Sequence, residues 1–103
     1  MYSATISREY AEEIAIAALV WLAGNEERLS RFLSLTGLAP GELRQHATDP
    51  AFQAGVLAHL TSHEPSLLSF CEMAVVGDKT VRPADVVAAQ DILGGSSAYD
   101  RSI

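Results

Sequence analysis

From Ile14 to Ala23, ten consecutive residues read Ile-Ala-Ile-Ala-Ala-Leu-Val-Trp-Leu-Ala, with no charged, hydroxyl or amide side chain among them. Ala and Leu at this density favour a helix over a strand. A helix that is apolar all round is expected to be buried on every side, whereas a surface helix shows one apolar stripe. The run is too short to cross a bilayer, which takes about 20 apolar residues. The expectation is a central helix with the others packed around it. Its alanines allow close backbone approach, and Leu19, Trp21 and Leu22 fill the gaps.

The flanking residues set the ends of this helix. Ser7 is a capping residue and Glu9 falls in the first turn, where a carboxylate faces the positive helix end. Gly24 is placed to stop it, giving a helix over about 8–23. Asn25 then caps a second helix with Glu26 and Glu27 in its first turn, Leu29, Phe32, Leu33 and Thr36 on one face, and Gly37 as its stop. All four prolines, Pro40, Pro50, Pro65 and Pro83, suit the first position of a helix, where the missing N–H is no loss. This predicts helices over about 40–47, 50–61, 65–75 and 83–93. Phe52, Val56, Leu57 and Leu60 face inward on the fourth. Leu67, Leu68, Cys71, Ala74 and Val75 form the stripe of the fifth. Leu38 and Leu43, and again Val81 and Val86, have the spacing of a hydrophobic staple around a helix start, with Glu42 and Asp85 as first-turn acids. Gly77 to Thr80 is read as the most mobile connection, and no strand pair is expected.

The fold expected is therefore all-α, a compact bundle of five to six short helices around a buried apolar first helix. The organisation expected is a flexible lead-in over 1–6, a single helical domain over 7–95 and a flexible tail over 96–103. A chain of 103 residues makes one domain.

Charge narrows the partners. Thirteen acidic residues against seven basic give a net charge of −6. Nucleic acids and anionic membrane surfaces both require clustered Lys and Arg, so neither is expected. A single Cys excludes an internal disulfide and most Cys-based zinc sites. Glu12 and Glu13 precede the apolar run, unlike the basic segment of a secretory signal, so the expected location is the cytoplasm.

Several stretches carry a resemblance. Phe32 to Arg44, reading Phe-Leu-Ser-Leu-Thr-Gly-Leu-Ala-Pro-Gly-Glu-Leu-Arg, then Asp49-Pro50-Ala51-Phe52, then Asp91-Ile92-Leu93-Gly94-Gly95, are similar to a small alphaproteobacterial family, a domain of unknown function (DUF3572). The resemblance spans about 11–95. The family more often has an acid where this chain has Ala39, and a short Gly-Leu-x-Pro turn where this chain runs from Gly77 to Pro83. It implies a small helical bacterial domain and no activity or catalytic residues.

The candidates for chemistry are few. His59 and His63 are four apart, and a helix continuing through both would place them on one face at metal-ligand spacing. A pair is half a site, however, and no Glu lies between them. Cys71 with His46, His59 or His63 as base is the nucleophile candidate, but its place in an apolar stripe marks it as a small core hydrophobe. No Gly-x-Ser-x-Gly elbow and no phosphate-cradling glycine loop occurs. Glu12-Glu13 and Glu26-Glu27 do not face one another on a helix and make poor acid–base pairs. Thr36-Gly37-Leu38 between two helices has the outline of a helix-turn-helix with Arg28, Arg31 and Arg44 nearby, but the helix that follows is short and carries Glu42.

No catalytic residue, cofactor or metal is therefore assigned. Once Gly is counted in place of Tyr, the apolar share is about 52%, just above the usual 45–50%. That excess points to a non-enzymatic interaction module, an adaptor for another protein or a homodimer, with Tyr10, Arg28, Arg31 and Arg44 as surface candidates. This reading expects a contiguous exposed apolar patch. The alternative is a small metal- or ligand-binding domain using His59, His63 and Glu64.

Overall fold

Ser7 closes the first turn of the chain's longest helix by accepting a hydrogen bond from the Tyr10 backbone N–H at 3.0 Å. In a computed structural model describing residues 6–95, this helix, α1, spans Arg8–Ala23. It is followed by α2 (Glu26–Thr36), α3 (Glu42–His46), α4 (Pro50–Thr61) and α5 (Glu64–Met73). A two-residue hairpin, β1 (Val75–Val76) and β2 (Lys79–Thr80), leads into α6 (Pro83–Gln90) and a π-turn over Asp91–Gly95. The fold is an all-α bundle. Of the expected lead-in and tail, only Ile6 lies inside the described residues, and it packs against the core. The remainder lies outside them.

The caps follow from the side chains. Asn25 accepts from the Arg28 N–H at 3.0 Å, and Asp49 accepts from the Ala51 N–H at 3.2 Å with Pro50 behind it. Gly37 ends α2 at φ +77°, a left-handed backbone that costs a residue with a Cβ about 1–2 kcal/mol. The two starts that share a staple spacing also share a bond. The Ala39 N–H donates to the Glu42 carboxylate at 2.7 Å, and the Arg82 N–H donates to that of Asp85 at 3.0 Å. Val81 and Val86 are both buried beneath the second of these.

The core lies where α1, α4 and α6 meet. Ala11, Ile14, Ala15, Ala18 and Leu22 of α1 are buried against Val56, Leu57 and Leu60 of α4 and Val86 and Ala89 of α6. Each fully buried Leu or Ile contributes about 1.5–3 kcal/mol. Phe32 of α2 and Phe70 of α5 seal the sides. Phe32 meets Phe52 edge-on at 6.1 Å between ring centres, and Phe70 meets Trp21 in the same way at 5.9 Å.

Several expectations need correcting. The apolar run is not covered on every side, since Ile16 is 38% and Val20 65% exposed. Among the described residues α2, α4 and α6 pack most extensively on α1, and they leave one flank open. The fifth helix stops at Met73, and Val75 to Thr80 form an antiparallel pair with Val75 opposite Thr80 and Val76 opposite Lys79. Gly77 at φ +65° supplies the backbone that such a tight turn demands. On α5 the buried residues are Leu67 and Phe70, while Leu68 points to solvent. Pro40 lies in a turn two residues ahead of α3, and the stretch after Gln90 winds as a π-turn instead of extending α6.

Candidate functional site

The open flank of α1 is where the chain departs most from a fully enclosed bundle. Glu9, Glu13, Ile16 and Val20 recur at helical spacing along it, acids in the first two turns and apolar residues beyond. β1 lies alongside, with Val75 60% exposed and Val76 buried beneath it. Between α1 and the hairpin runs a groove of about 520 Å³, floored by Ile16, Ala17, Val75 and Val76 and rimmed by Glu9, Glu12 and Glu13. Glu12 pairs with Arg8 at 3.7 Å in an exposed i, i+4 contact worth a few tenths of a kcal/mol. Gln53 lies at the base of this groove and is itself buried. Its amide donates to the Ala47 carbonyl at 2.8 Å, which ties the α3–α4 turn to α4, and its Oε1 is enclosed without a hydrogen-bond partner among the described residues.

The residues singled out from sequence fall in separate places. Tyr10 is half-buried against the core with its hydroxyl enclosed and without a hydrogen-bond partner among the described residues, and Lys79 lies 5.4 Å from the centre of its ring. Burial, and then the Asp85 carboxylate, push the Tyr10 phenol above its ordinary range. It therefore contributes packing instead of an exposed patch. Arg44 is exposed on α3 and does not line the cavity that the other two arginines share. Arg28 and Arg31, one turn apart on α2, do come together, and the structure adds His59 of α4 to them. All three line a cavity of about 220 Å³ with Leu22 and Ser66. Nothing in the sequence links Arg28 to His59, because the contact depends on how α2 and α4 pack.

His59 and His63 do not share a helix face. α4 ends at Thr61, and His63 sits in extended backbone as the cap of α5, its Nδ1 2.7 Å from Ser66 Oγ. His59 meets the Phe32 ring edge-on, 5.2 Å between centres. Burial, then Arg31 and His63, lower its pKa, which keeps the imidazole neutral at pH 7. Among the described residues no three His, Cys, Asp or Glu side chains converge to hold a metal ion. Cys71 is half-buried on the core, and burial, with a smaller effect of Asp85, raises its thiol pKa, the opposite of what a nucleophile needs. Among the described residues no helix is long and apolar enough to cross a membrane.

Against known proteins, one family model matches, described as a protein of unknown function (DUF3572), over residues 8–96. No match is found among curated proteins or among solved structures.

Proposed function

The chain belongs to the DUF3572 family, and within that family we propose that it is a non-enzymatic protein-interaction module of the cytoplasm, whose docking face is the open flank of α1. The observation that carries this reading is the pairing of exposed Ile16 and Val75 with the acidic row of Glu9, Glu12 and Glu13 along one groove, with exposed Val20 one turn beyond Ile16 on the same face of α1. The occupant is a basic amphipathic segment of another protein. Its apolar residues would lie along the groove floor and its Lys or Arg residues against the glutamates.

Charge speaks against a second copy. A twofold interface sets the same surface against itself. Two acidic rows from chains of net charge −6 would then oppose one another. The homodimer is thus the less favoured form of the interaction.

The test is a titration of labelled protein with a model helical Lys/Leu peptide, followed by amide and methyl NMR. Shifts confined to Glu13, Ile16, Val20 and Val75, weakened by salt and abolished by Val20→Asp, are expected. Shifts that survive Val20→Asp, or no saturable response, refute the docking face. A concentration-dependent dimer by light scattering that Val20→Asp abolishes would put a second copy there and refute the choice of occupant.

A further inference from the structure

We propose that the cavity walled by Arg28, Arg31, His59 and Ser66 binds a tetrahedral oxyanion, either free phosphate or the phosphate group of a small phosphomonoester. This site lies between α2, α4, α5 and the C-terminal turn of α1, shares no lining residue with the α1–hairpin groove, and does not depend on the docking reading.

Two arginines of this cavity make no ion pair among the described residues. Arg28 and Arg31 are three apart on α2, so like charges share a face, an arrangement that is unfavourable alone. Among the described residues the ion pairs are Arg8–Glu12 and Arg82–Asp85, and neither arginine of this cavity takes part. Glu27 is four residues before Arg31, the spacing at which helical pairs form readily, and it lines the cavity, yet no such pair closes. Arg28 is instead stacked on Trp21, its guanidinium carbon 3.9 Å from the ring centre. Stacking fixes the guanidinium plane and leaves the in-plane N–H groups able to donate, which suits the bidentate geometry of an oxyanion.

The remaining walls fit the same ligand. Leu22, 1% exposed, gives the cavity an apolar back that strengthens charge-assisted hydrogen bonds. Where His63 donates from Nδ1 to Ser66 Oγ, the serine proton is free to turn toward the ligand. His59 is faced by Arg28, Arg31 and Glu27 from α2 and by His63 and Ser66 from the α4–α5 junction. Burial lowers the His59 pKa most, and the Arg31 and His63 charges add to it; an anion between His59 and Arg31 offsets those charges, so binding is accompanied by proton uptake at His59. A second cleft of about 440 Å³, holding Trp21, Pro65 and Met73, shares Glu27, Arg28 and Ser66 with this cavity. It offers room for the organic part of a phosphomonoester.

The experiment uses the whole chain at fixed ionic strength, titrated in parallel with sodium phosphate, phenyl phosphate and chloride, with imidazole NMR as readout. Expected are a saturable His59 shift at millimolar phosphate, a His59 pKa that rises on binding, and no response to chloride. Arg31→Gln, an exposed change that leaves the fold intact by circular dichroism, lowers affinity about tenfold or more. Arg28→Lys keeps the charge, loses the fork and weakens binding as well. Tighter binding of phenyl phosphate with shifts at Trp21 and Met73 assigns the phosphomonoester, and equal affinities assign the free anion. A linear response shared with chloride, or a saturable one unchanged in Arg31→Gln, overturns the proposal.

Discussion

At Gly94, in the π-turn that follows α6, an added Cβ would stand 2.8 Å from the Cβ of Ala54 on α4. Non-bonded carbons rest at about 3.5–4.0 Å, so Gly94→Ala forces an opening near an ångström. The obstructing atom sits directly on the α4 backbone and has no rotamer through which to escape. Either the π-turn lifts off α4 or α4 moves into the core beside Val56 and Leu57. Overpacking of this kind costs about 1–3 kcal/mol. The lost glycine freedom of the unfolded chain returns about 0.4–1 kcal/mol. The net expectation is a loss of roughly 1–2 kcal/mol, which for a domain of this size lowers Tm by about 4–8 °C per kcal/mol. Urea unfolding followed by circular dichroism measures it. Ala54→Gly alone costs about 1 kcal/mol through helix propensity. The double variant removes the clash, so the two losses combine to less than their sum. A Gly94→Ala protein as stable as the wild type, or losses that simply add, would refute the close approach of the π-turn to α4.

Three further outcomes are expected. Asp85 is buried; burial alone would raise its pKa, but the Arg82 guanidinium and backbone N–H outweigh that and hold it below the usual carboxylate range. Its folded pKa is the lower one, so its stabilising effect is present above the unfolded value of about 3.9 and is lost as pH falls through the folded value. Asp85→Ala should cost about 1 kcal/mol at pH 7 through the lost cap and flatten the acid limb below about pH 4, as read by thermal unfolding across pH. Cys71 should react with a thiol reagent at neutral pH more slowly than a free cysteine, because burial favours the protonated form, and a rate equal to that of the unfolded chain would contradict it. Val20→Asp, at an exposed position, should change stability by no more than about 0.5 kcal/mol, whereas Leu22→Ala two residues on should cost about 2–5 kcal/mol. Urea midpoints compare the two.

What could be seen in advance was local. Ser7, Asn25, Asp49 and Gly37 mark helix ends through bonds to residues two to four away, so the spans of α1, α2 and α4 agree with expectation. Val75 to Thr80 failed for the same reason in reverse, since strands of two residues are too short for alternation to register. Hydropathy records that Ile16 and Val20 are apolar but not how many neighbours the chain can place around them. The run that pointed to a wholly buried helix therefore has one open flank. Of the cavity shared by Arg28, Arg31 and His59, the sequence shows only parts, the arginines as surface residues and the histidine as half a metal site. What joins them is the packing of α2 against α4, which no local pattern encodes.

α1 packs against α6, the last α-helix among the described residues. During synthesis the run from Ile14 to Ala23 therefore emerges early, while Val86 and Ala89, which complete its shelter, emerge late. Until α6 has emerged, this apolar helix is only partly enclosed, and it must be kept from other nascent chains.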